Sequence, residues 1–160
     1  MKESRLAEIK KEYSILSKKY KLPDFSELNK EFEIEKIQER ETDFLLREVR
    51  RAISDKIVAY LKFLELFLNP VAAPLFVLIA LKGMNQSDKE TMEKLYKDLV
   101  GLEIKSIALD TEYKESEEVK FIKEAINTWN SVKKDLIDLC KEIEKAHIKS
   151  SEKKKKDYFG

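Results

Sequence analysis

Cysteine is all but missing from this chain of 160 residues: Cys140 stands alone, so no intramolecular disulfide can form. Histidine is equally scarce, and His147 by itself cannot build a zinc site that takes two or three imidazoles from one chain. The three glycines, at 83, 101 and 160, leave no glycine-rich loop to cradle a phosphate. With only three prolines beside them, they are too few for an all-β protein, which needs a turn about every ten residues. Net charge is missing too, since 32 basic residues face 31 acidic ones, so a charged partner must be met by a local patch. Nothing in the sequence calls for a cofactor.

What the chain does contain is charge and helical periodicity. Of its 32 basic residues 27 are lysine, and glutamine occurs only at 38 and 86, a Lys- and Glu-rich, amide-poor composition of the heat-adapted kind. The opening MKESRLAEIKKE lacks the apolar stretch of a secretory signal and, with the lone cysteine, points to the cytoplasm. At this length one helical domain, residues 1–150, is expected, followed by a basic C-terminal tail, 151–160.

Leu6, Ile9, Tyr13, Leu16 and Tyr20 recur at helical spacing and predict a first helix that stops near Leu22-Pro23. Asp24 and Glu27 fit a capping box that opens a short helix carrying Phe25, Leu28 and Phe32. A stripe of Leu45, Val49, Ile53, Ile57, Tyr60, Leu64 and Phe67 predicts a long helix over about 35–68, ended by Asn69-Pro70. A second long helix, about 116–148, is read from Val119, Ile122, Ile126, Trp129, Lys133, Leu136, Cys140, Ile143 and His147, with Ser116 as its N-cap. Ala125, Val132, Leu139 and Ala146 widen that seam, and Cys140 reads as a small core residue.

Between them, Gly83 is expected as a C′ residue, Ser87 and Glu90 as a second capping box, and Met92, Leu95, Tyr96 and Leu99 as a helix ending before Gly101. Residues 102–113 fit neither period well, and their likeness to 32–37 leaves open a small two-stranded pairing. The resulting expectation is an all-α, elongated helical bundle with two long helices of about 50 Å and shorter helices covering one end. The protruding length favours a homodimer.

Leu66 to Leu81 runs sixteen residues without a charge, short of the roughly 20 that a spanning helix wants. Pro70 and Pro74 divide it into a helix end and a short apolar helix, about 74–82. A helix apolar on every side has to be surrounded, so core or oligomer interface is expected and a membrane span is not.

Four of the five arginines, Arg40, Arg47, Arg50 and Arg51, fall within twelve residues. Their guanidinium forks suit carboxylate or phosphate, so they are candidate binding residues, as are Lys153, Lys154, Lys155, Lys156, Tyr158 and Phe159 at the C-terminus. Asp43, Arg47, Arg51 and Asp55 stand in a row at four-residue spacing, which favours structural ion pairs over a phosphate-tracking face. Glu144 and His147 form an E-x-x-H pair that a bundle can turn toward a metal, with Glu41 and Glu48 as conceivable partners; no metal site is expected on so short a pattern.

The expected function is non-enzymatic: a helical scaffold or complex subunit that acts through protein–protein association with a protein partner, most simply another copy of itself. The alternative is a nucleic-acid-associated factor using the Arg40–Arg51 cluster and the lysine-rich tail, and a third is a carboxylate and histidine metal site.

Overall fold

The computed structural model describes the backbone of residues 2–159 and the side chains of residues 4–157. Among the described residues six α-helices follow one another: α1 (Lys2–Tyr20), α2 (Phe25–Phe32), α3 (Leu45–Leu68), α4 (Leu75–Gly83), α5 (Gln86–Leu109) and α6 (Glu115–Phe159). Short 3₁₀ helices cover Ile34–Glu39 and Pro70–Ala72, and no strand occurs among the described residues. The fold is all-α, and no helix among them is long and apolar enough to cross a membrane.

The chain divides into two compact units. Unit 1 comprises Met1–Val58 and Leu102–Asn127; unit 2 comprises Ala59–Gly101 and Thr128–Gly160. In unit 1 the core gathers Tyr13, Leu28, Ile34, Leu46, Ile53, Ile57 and Ile122. In unit 2 it gathers Leu64, Val77, Ala80, Met92, Leu95, Leu99, Trp129, Leu136 and Ile143.

The helix ends show how local chemistry sets the chain's course. Lys21, just past α1, takes the left-handed conformation, φ 54°, and Leu22 N–H reaches back to the Ser17 carbonyl at 3.0 Å, so α1 closes before Pro23 as expected. Asp24 caps α2, its carboxylate accepting from Glu27 N–H at 2.8 Å.

The first long helix begins at Leu45, not near 35. Glu33 adopts φ 52°, Arg40 is extended, and the Thr42 hydroxyl accepts from Phe44 N–H at 3.0 Å, a side-chain turn that competes with helix. The strand pairing left open between 32–37 and 102–113 does not form: the first is a helix end and a 3₁₀ helix, and the second belongs mostly to α5, which runs unbroken through Gly101 to Leu109. Leu102 and Ser106 are buried on the same side as Leu95 and Leu99, so tertiary packing carries the helix past a residue that favours stopping it. At 24 residues α5 equals α3, so the described residues hold three long helices, α3, α5 and α6, rather than two.

Three caps differ from expectation. The reciprocal box at the start of α5 is Asn85 with Asp88, at 2.9 and 3.1 Å, rather than Ser87 with Glu90. Ser116 lies inside α6, which starts at Glu115 with Glu115, Glu117 and Glu118 in its first turn, where the helix dipole favours them. Gly83 ends α4 without a positive φ. Its role is space: a Cβ there would stand 2.6 Å from the Ala146 carbonyl oxygen of α6, so α4 packs backbone against backbone. Helix α6 also passes residue 148, its expected end, and takes in Lys153 to Lys156.

The buried line of α6 is Ile122, Ala125, Trp129, Val132, Leu136, Leu139, Ile143 and Ala146. Lys133, Cys140 and His147, three residues seven apart, border this line instead of lying on it, and Cys140 is exposed, not core.

Candidate functional site

Unit 1 contains a polar cluster built by α3, α5 and α6. Arg50 shares a helical face with Leu46, Ile53 and Ile57 of α3, Ser106 with Leu99 and Leu102 of α5, and Glu118 with Ile122 and Ala125 of α6. Each of these polar residues thus occupies a position where the helix turns inward, and together they satisfy one another. Arg50 Nε donates to Glu118 Oε2 at 2.6 Å, one terminal nitrogen donates to the Ser106 carbonyl and hydroxyl at 3.0 and 2.8 Å, and the other donates to Asp110 Oδ1 at 2.6 Å. Ser54 and Ser106 hydroxyls meet at 2.6 Å.

The other three arginines surround this centre. Arg51 bonds Asp110 at 3.3 Å and Glu48 at 2.9 Å; Arg40 bonds Glu48 at 3.0 Å and stands 3.8 Å from Asp55. Arg47 lies over the rings of Phe44 and Tyr113, 5.6 and 5.3 Å from their centres, and its Nε is 3.8 Å from Glu118 Oε1. Those last two atoms are buried and without a hydrogen-bond partner among the described residues, so Arg47 is held by ring faces and charge rather than by a formed bond.

Most of these pairs tie separate elements together; the row expected within α3 is replaced by links to α5, α6 and the loop before α3. Arg50 is fully enclosed and its guanidinium is taken up by Glu118, Asp110 and Ser106, while Arg40 and Arg51 remain partly exposed. Burial works against the charge on Arg50, but the hydrogen bonds to Asp110 and Glu118 outweigh it and leave its pKa raised. Partial burial would raise the pKa of Asp110, but the bonds from Arg50 and Arg51 prevail and hold its carboxyl below the usual carboxylate range. Chemically, the cluster stores compensated charge and locks three helices.

Unit 2 carries a different surface. Helix α4 buries Val77 and Ala80 on one side, and on the other leaves Leu75 68% and Leu78 41% exposed; Phe76 is 44% exposed, and Val71 in the preceding 3₁₀ turn is 91% exposed. Of the two places expected for this helix, core or oligomer interface, the chain's own core takes only the Val77 and Ala80 side. Its outward row, Leu75, Leu78, Ile79 and Lys82, follows i, i+3, i+4, i+7 spacing. Beside that row lies a groove of about 470 Å³, with Ile79, Lys82 and Gly83 on the α4 side and Lys149, Lys153, Lys154 and Asp157 on the α6 side.

Lys153, Lys154, Lys155 and Lys156 are exposed along α6, whereas the side chains of Tyr158 and Phe159 lie outside the described residues. Glu144 is exposed and His147 half-buried; no group of three His, Cys, Asp or Glu side chains suited to a metal occurs among the described residues. Glu48, nominated as their partner, is occupied by Arg40 and Arg51. Sequence reasoning missed Glu118, Asp110 and Ser106. The signal for Glu118 and Ser106 was a polar residue in register with an apolar helix face, which has to be paired once buried.

Comparison with protein-family models, with curated proteins and with solved structures returned no match.

Proposed function

We propose that this chain works through protein–protein association, with α4 and the 3₁₀ turn before it as the contact surface. The observation that carries this reading is the exposure of four large apolar side chains within eight residues, Val71 in the 3₁₀ turn and Leu75, Phe76 and Leu78 in α4. Isolated exposed apolar side chains are ordinary, but several of them within two helical turns favour an interaction surface. Each fully buried side chain of this size contributes about 1.5–3 kcal/mol, enough for such a group to anchor a complex. The role is that of a non-enzymatic scaffold or complex subunit in the cytoplasm.

Affinity purification of the full chain from its native cells, alongside the Leu75→Ser/Leu78→Ser variant, tests this. A partner, or a second copy in light scattering, is expected with the unaltered chain and not with the variant. A strictly monomeric chain without a copurifying protein overturns the reading.

A nucleic-acid-associated role is the second reading, favoured by the exposed Lys153 to Lys156 along α6. With the arginines engaged by carboxylates, it rests on these lysines. It requires a shift of DNA or RNA at low salt that weakens steeply as salt rises.

A further inference from the structure

We propose that the groove between α4 and the C-terminal part of α6 receives an acidic, amphipathic helix of a partner protein. This rests on the association reading and names the partner's chemistry. The outward row of α4 passes from apolar to basic along its length, because Lys82 follows Leu75, Leu78 and Ile79 on one face. Across the groove, Lys149 and Lys153 stand one turn apart on α6, with Lys154 beside them. None of these four lysines forms an ion pair with a carboxylate among the described residues, and Asp157 is the single acidic side chain in the lining.

The groove itself is therefore mainly basic, with Ile79 as its apolar side chain on α4, and Leu75 and Leu78 continue the apolar row of α4 beyond it. A helix fits both when leucine-like side chains at i, i+3, i+4 and i+7 meet Leu75, Leu78 and Ile79 while carboxylates on the adjoining flank meet the lysines. The spacing of the two walls is set by the close approach at Gly83, where nothing larger than hydrogen fits against the Ala146 backbone. That makes the receiving surface pre-formed, and less ordering is needed on binding.

Charge decides against a second copy, and shape against a lipid surface. A second copy docked isologously would bring the same lysines of both chains to one two-fold axis, like charge on like. A lipid surface would meet the outward row of α4, but a plane does not enter a groove walled by two helices.

The test is a peptide-display selection against the full chain, followed by fluorescence polarisation with the enriched peptides. The expected peptides carry Glu or Asp flanking Leu, Ile or Phe at helical spacing. Their binding weakens at least tenfold in Lys149→Glu/Lys153→Glu and in Leu75→Ser/Leu78→Ser, and falls with added salt; circular dichroism of both variants matches the unaltered chain. A selection without acidic enrichment, or peptides that bind the lysine reversal equally well, overturns the proposal. So does cosedimentation with phosphatidylserine vesicles that the peptides fail to displace, or self-association abolished by the same lysine reversal. If the leucine variant loses its copurifying partner while the lysine reversal keeps it, the acidic helix is wrong and the association reading stands.

Discussion

Arg50 Nε and Glu118 Oε2 lie 2.6 Å apart with both side chains fully enclosed, one contributed by α3 and the other by the first turn of α6. Such a pair is costly to remove from water and is stable only because Asp110 and Ser106 complete the guanidinium's hydrogen bonds. Its strength as a positioning device lies in the penalty for disrupting it.

Glu118→Ala should therefore destabilise the chain by about 3–5 kcal/mol, since Arg50 then keeps a buried charge with one partner fewer. Replacing both residues by apolar ones, Arg50→Met with Glu118→Leu, should recover most of that loss. Urea unfolding of the two variants provides the comparison, and a single variant within 1 kcal/mol of the unaltered chain would contradict the assignment.

The depressed carboxyl of Asp110 makes a pH prediction. Its pKa in the fold lies below the ordinary value, so its contribution to stability is present above the usual carboxylate range and is lost as pH falls through the folded-state pKa. Arg50 is shifted upward and stays charged throughout that range. Asp110→Asn should lower stability at neutral pH and flatten its decline between about pH 5 and pH 3. Midpoints of thermal unfolding measured across that range decide it; parallel slopes for the two proteins would refute the linkage.

Two glycines should respond to alanine with opposite sign. At Gly101, within α5, an added Cβ meets nothing within 4 Å, so Gly101→Ala should stabilise by about 0.5–1 kcal/mol through helix propensity and a restricted unfolded chain. At Gly83 the same atom would press on the Ala146 carbonyl, and Gly83→Ala should destabilise by about 1–3 kcal/mol. Chemical denaturation of both variants reads the two signs directly.

Exposed and buried leucines of unit 2 should separate cleanly. Leu75→Ser is expected to change stability by no more than about 0.5 kcal/mol, because the side chain has little packing to lose within the chain. Leu64→Ala, at a fully buried site, should remove about 2–5 kcal/mol. Equal losses would mean that Leu75 packs against the chain after all.

Periodicity alone determined the helical class, the buried stripe of α3 from Leu45 to Phe67, and the stop at Asn69, because apolar spacing and proline chemistry are local properties. It also determined that the charge-free stretch is divided, since Pro70 and Pro74 interrupt it in sequence as in structure. The clustering of Arg40, Arg47, Arg50 and Arg51 was visible too, but their partners were not: Glu118 stands 68 residues from Arg50, and only the packing of α3, α5 and α6 brings the two together.

Tertiary structure likewise decided that α5 crosses Gly101, where buried Leu102 and Ser106 outweigh a local preference, and that Gly83 is needed for closeness to Ala146 rather than for a turn. It decided, finally, which side of α4 faces outward. A helix apolar on all sides carries no moment to orient it, so its sequence leaves the choice open; the packing of Val77 and Ala80 against unit 2 makes that choice and exposes Leu75 and Leu78.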